Sequence, residues 1–133
     1  SSLLFILVTL LCLCANGDHY LYYRLGNDAT LPCDDEPSSE TTCSVFSWLH
    51  ERNEASPAKV KVRKGKVNQN SPGADRLSLS RNCSLIINNI TAEDAGRYTC
   101  RIRETTEFDT LVHPSILTSE YFDLDDSELH TIT

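Results

Sequence analysis

Hydrophobic and polar residues alternate in short bursts along most of this chain, with turn-forming residues between the bursts. The opening is different. Leu3 to Leu13 is an apolar run broken only by Thr9, followed by the small residues Ala15, Asn16 and Gly17. That pattern is the apolar region and cleavage site of a secretory signal peptide, with cleavage expected after Gly17. The run is shorter than the ~20 residues that cross a bilayer, which disfavours a membrane anchor. No Met and no positive charge precede it, so the sequence is read as starting inside the signal.

Past Gly17 the pattern predicts strands at Leu21–Leu25, Ala29–Cys33, Val45–His50, Lys59–Lys66, Arg76–Ser80, Cys83–Ile87, Arg97–Arg103 and Leu111–Thr118. Gly26-Asn27-Asp28, residues 34–42, residues 51–57, residues 67–75 and the polar corner Thr91–Gly96 separate them. Segments this short, with turn signals every ~8–12 residues, are the mark of an all-β sandwich. No stretch keeps a helical period, and no phosphate-binding glycine loop or internal repeat occurs. Pro114 removes a ladder donor, so an exposed or irregular edge is expected in the last strand. The resulting division is a signal peptide at 1–17, one domain at 18–118 and an acidic linker or tail at 119–133.

Charge sharpens that division. The net charge is −7. Residues 18–118 hold 12 basic and 14 acidic side chains, whereas the tail alone holds Glu120, Asp123, Asp125, Asp126 and Glu128. Nucleic acid is excluded as a partner, because no basic excess is available to neutralise phosphates. The tail lacks the glycine and spacing of a calcium loop. Neither hydrolase nor metalloprotease signatures occur, so no enzyme activity, cofactor or metal is expected. Of six cysteines, Cys12 and Cys14 leave with the signal, and Cys33, Cys43, Cys83 and Cys100 remain for an oxidising compartment. Four cysteines allow three pairings. A zinc site fits poorly, because no two of the four lie within the C-x₂₋₄-C spacing.

Cys33, Trp48 and Cys100 decide among sandwiches. Trp48 follows Cys33 by fifteen residues and precedes Cys100 by fifty-two, leaving room for two extra strands. Two sheets packed about 10 Å apart can be bridged by a cystine, with an indole filling the space beside it. Tyr98, two residues before Cys100, stands where a tyrosine corner turns its hydroxyl back onto upstream backbone. Arg76 and Asp94, eighteen residues apart, are placed to form an ion pair beneath the sandwich. DATLPC (28–33), FSWLH (46–50), RLSL (76–79) and SLIINNITAEDAGRYTC (84–100) together resemble an immunoglobulin V-set domain, similar in particular to innate immune-type surface receptors and their polymeric-immunoglobulin-receptor-like relatives. The last strand lacks the Phe-Gly-x-Gly motif of rearranged antigen receptors, which favours a germline-encoded receptor.

The resemblance implies an immunoglobulin V-set two-sheet antiparallel Greek-key sandwich with a Cys33–Cys100 bridge. Cys43 and Cys83 are then left and are expected to pair, as in similar receptors that carry an additional disulfide; the competing arrangement leaves them free or joined to another chain. Strand parity expects Lys59, Lys61, Arg63, Arg97, Arg101 and Arg103 on one outward face, with Val60 and Val62 inside. Such a face implies an anionic partner: an acidic protein patch, a sialylated glycan or an anionic lipid. Asn89-Ile90-Thr91 and Asn82-Cys83-Ser84 read as glycosylation acceptors, Asn89 the better placed. The expected role is ligand recognition at the cell surface or in secretion, with any membrane span lying past Thr133. A secreted decoy or opsonin and a homodimerising adhesion module are the alternatives.

Overall fold

The computed structural model describes residues 18–34 and 42–118. The expected signal peptide, most of the polar loop after Cys33 and the acidic tail lie outside the described residues.

Among these residues nine strands pack as two sheets. β1 (Asp18–Arg24), β3 (Phe46–Glu51), β4 (Lys59–Arg63), β5 (Lys66–Val67), β8 (Arg97–Ile102) and β9 (Thr105–Leu117) form one, in the order β1-β9-β8-β3-β4-β5. The other is β2 (Ala29–Leu31), β7 (Leu85–Ile87) and β6 (Leu77–Leu79), in the order β2-β7-β6. The expected V-set sandwich is therefore present, with β4 and β5 as its two additional strands. Its pairs are antiparallel except β1, which runs parallel to β9 from Asp18↔Leu111 to Arg24↔Leu117. Closing the edge this way answers the expectation at Pro114. β9 stays regular there, Pro114 is buried opposite Leu21, and the β8 ladder stops at Val112, so the missing N–H costs that ladder nothing.

Period-two burial carries the sequence pattern into the core. β3 alternates buried Phe46, Trp48 and His50 with half-exposed Ser47, Leu49 and Glu51. β2 and β7 contribute Ala29, Leu31, Leu85 and Ile87, all fully buried. Between the sheets, Cys33 is bonded to Cys100 and Cys43 to Cys83. Trp48 stands opposite Cys100 in the β3–β8 register, and its indole N–H donates to the Cys83 carbonyl at 3.1 Å. One residue thus packs against one cystine and caps the backbone of the other. Bridges spanning 67 and 40 residues stabilise such a fold by about 2–4 kcal/mol each, chiefly by restricting the unfolded chain.

Two strand boundaries differ from expectation because of hairpin turns. Lys64 and Gly65 both have positive φ (49° and 81°), the requirement of a two-residue type I′ turn, so Lys59–Lys66 is split into β4 and β5. A Cβ on Gly65 would lie 2.7 Å from the Cys43 carbonyl oxygen, which restricts this position to glycine. Arg103 and Glu104 (φ 55° and 61°) make the same turn between β8 and β9, so the last strand starts at Thr105 rather than Leu111. Neither turn carries Asn-Gly or Asp-Gly, the strongest sequence signal for this geometry.

Candidate functional site

Below the sheets, the corner before β8 is held by Asp94. A 3₁₀ turn, Ala92–Asp94, starts with a capping box in which the Thr91 N–H donates to Asp94 Oδ2 at 2.8 Å. Arg76 closes the other side with a two-pronged pair to Asp94, at 3.0 and 3.1 Å, and also donates to the carbonyls of Asn88 and Asn89. Burial raises the Asp94 pKa, but the Arg76 guanidinium and the Thr91 donors outweigh it and hold the carboxyl below its ordinary value. The Tyr98 hydroxyl donates to the Asp94 carbonyl at 2.8 Å, which completes the tyrosine corner, and burial pushes its pKa up. Gly96 follows at φ 119°, and any Cβ there would collide with the Glu51 carbonyl oxygen. His50 stacks on Tyr98 with ring centroids 4.1 Å apart and donates from Nε2 to the Ala95 carbonyl; burial lowers its pKa.

The outward face of the six-stranded sheet does not gather the six cations expected of it. A β-bulge in the β3–β4 pair is the reason. Trp48 pairs with Val62, but Leu49 already pairs with Val60, so Lys61 is an extra residue on β4. The bulge inverts parity for the first half of the strand. Val62 is buried, Val60 lies outward beside Leu49, and Lys59 stands opposite the inward-facing His50. Lys59 and Lys61 therefore line a cleft with His50 on the inner side, and the Lys61 ammonium is 3.4 Å from the Pro72 carbonyl. Arg63 stays outward with Ser47, Leu49 and Arg101. Arg103 occupies the β8–β9 turn.

Two of the outward cations are also paired with carboxylates. Arg101 makes a two-pronged pair with Asp109, at 3.1 and 2.9 Å, which raises its pKa. Arg97 meets Glu51 at 2.8 Å. What crosses the face is a row of in-register neighbours, Leu111–Thr99–Leu49–Val60, spanning β9, β8, β3 and β4. Arg97–Glu51 lies on one side of the row and Arg101–Asp109 on the other. At the β1 edge Tyr20 and Tyr22 are about two-thirds exposed (67% and 69%). Tyr20 stacks on His113 at 4.5 Å, and His113 is 3.2 Å from Asp18.

Sequence reading missed Val60, Leu111, Tyr20 and Asp109 as parts of this face. Asp109 is brought beside Arg101 by the hairpin turn at Arg103-Glu104, which carries no turn signal in the sequence. Of the acceptor asparagines, Asn89 is exposed at φ 53° with its N–H bonded to Asp28, and Asn82 is exposed beside Ser80. No three His, Cys, Asp or Glu side chains among the described residues are grouped as a metal site.

No curated protein matches the chain closely enough to count as a relative. Solved structures match in number, 1614 chains, so likeness to any one of them speaks for the fold alone. One is the extracellular domain of the voltage-gated sodium channel beta4 subunit, described as forming parallel homodimers that explain its role in cell–cell adhesion. It shares 22% identity at a TM-score of 0.55, over 77% of this chain and 88% of that one. Domains of the type seen here are generally binding modules without catalytic activity, and no enzyme family is indicated. The description "Immunoglobulin V-set domain" matches residues 16–114, three-quarters of the sequence, and the chain belongs to that family.

Proposed function

We propose that the chain is an extracellular recognition domain that binds protein through the outward face of its six-stranded sheet, and that a second copy of itself is the partner. The row Leu111–Thr99–Leu49–Val60, edged by paired charges, carries the reading. An all-cationic face would repel its own copy, whereas a face showing both signs around half-exposed aliphatic side chains can be self-complementary across a two-fold axis. The adhesive homodimer described for the sodium channel subunit supports testing a homotypic partner first. Two cystines support an oxidising, extracellular setting.

Sedimentation equilibrium of the mature chain tests this. Self-association is expected at high concentration, and Leu49→Arg is expected to weaken it at least about tenfold, as hot-spot losses do. A wild-type chain that stays monomeric, or an unchanged L49R variant, overturns the reading.

A second reading is an innate immune-type receptor domain with a different ligand. The Cys43–Cys83 bridge favours it, since a further disulfide is what the resemblance to such receptors implied. A longer transcript with an apolar run of about 20 residues would support a membrane receptor, and its absence a secreted decoy or opsonin. On either reading Asn89 is the proposed glycan carrier. Glycosidase treatment should shift the mass of the secreted chain, and persistence of the shift in Asn89→Gln would refute the assignment.

A further inference from the structure

The cleft on the inner side of β4 has no part in the reading above. It encloses about 470 Å³, between His50, Lys59 and Lys61 on one wall and Pro72, Arg76 and Asp94 on the other. That volume is in the range of small-molecule sites, about 300–1,000 Å³. Its charge is lopsided. Arg52, Lys59, Lys61 and Arg76 face Glu93 and Asp94, and both carboxylate oxygens of Asp94 are already engaged by Arg76.

Lys61 is the unusual member. The bulge turns it off the solvent face into a half-buried position, and among the described residues it forms no ion pair. Its hydrogen bond is a long one, 3.4 Å, to the Pro72 carbonyl. Burial is the main influence lowering its pKa, with Lys59 and Arg76 adding to it against the opposing pull of Asp94. A half-buried ammonium with no carboxylate in contact, and with the nearby Asp94 already engaged by Arg76, is better satisfied when an anion meets it. His50 is committed through Nε2 to the Ala95 carbonyl.

We propose that this cleft is a binding site for an anionic sugar, with Lys61 and Lys59 receiving its carboxylate or sulfate and the ring resting between Pro57 and Pro72. The site is separate from the outer face, so it stands or falls independently of the homotypic reading.

The test is an amide-shift NMR titration of the mature chain with 3′-sialyllactose, with a sulfated heparin-derived disaccharide and with neutral lactose. At least one charged probe should give saturable shifts at His50, Lys61 and Gly73, and lactose none. A response to sialyllactose shows that a carboxylate suffices, and a response to the heparin disaccharide alone, which carries both groups, assigns the contact to sulfate. Lys61→Met, which keeps the aliphatic stem, should fold with an unchanged or raised Tm and weaken binding at least about tenfold, the loss of one charge-assisted contact. Arg81→Gln, the same charge change at an exposed site elsewhere, should bind as the wild type does. Absence of saturable shifts with both charged probes, shifts confined to the Leu49–Arg101 face, or equal binding by K61M overturns the proposal.

Discussion

Strand β4 borders two surfaces of opposite character, the outward sheet face and the cleft behind it. On the face, Arg97 and Arg101 are each matched by a carboxylate, and the row between them is aliphatic except for Thr99. In the cleft, one ion pair is locked into a network of backbone carbonyls and a capping box while two lysines lack a carboxylate among the described residues. The Arg76–Asp94 and Arg101–Asp109 pairs are buried to a similar degree, with side-chain exposures of 25%/12% and 29%/17%. Burial therefore does not separate their roles. Arg76 and Asp94 also satisfy Asn88, Asn89 and Thr91, so they hold a corner of the fold, whereas Arg101 and Asp109 are bonded to each other and shape a surface.

The largest expected effect lies in the network. Arg76→Ala strips the counter-charge from Asp94 and two carbonyl bonds with it, and should destabilise the domain by about 2–4 kcal/mol in chemical denaturation. Arg101→Ala should cost about 1 kcal/mol or less, because its partner is left beside solvent with no backbone dependent on the pair. Equal losses would erase the distinction drawn between the two pairs.

Acid should probe the inner side more gradually. His50 has a folded pKa below its unfolded value, so the unfolded chain takes up a proton first; stability is full above about pH 6.5 and declines as pH falls from there to the folded value. Asp94 also has a depressed folded pKa, so its contribution is present above about pH 4 and lost as pH falls through the folded value. Two separate declines in Tm are expected on acidification, and His50→Gln should remove the upper one. A wild-type Tm that is flat between pH 7 and 5 would contradict the role given to His50.

The sequence made the core legible and the surface only in part. Cys33, Trp48, Tyr98 and Cys100 stand at spacings that the resemblance ties to stacked sheets, and Trp48, Tyr98 and Cys100 are buried together beside the Cys33–Cys100 bridge. The face depended on strict alternation along Lys59-Val60-Lys61-Val62-Arg63. A bulge adds one residue without a sequence signature of its own, since either register of β4 places a valine opposite Trp48 or Leu49. Both hairpin turns were likewise silent, because Lys64 and Arg103-Glu104 occupy positive φ without the usual asparagine or aspartate.

The bulge thus decides which surface each β4 side chain serves, and the side-chain positions of Val60 and Lys61 test it most directly. In nuclear Overhauser spectra of the mature chain, the Val60 methyls should contact those of Leu49, and the Lys61 methylenes should contact the His50 ring and Pro72. Lys61 contacts with Leu49 or Arg101, and Val60 contacts with Trp48, would contradict it and restore a single basic face.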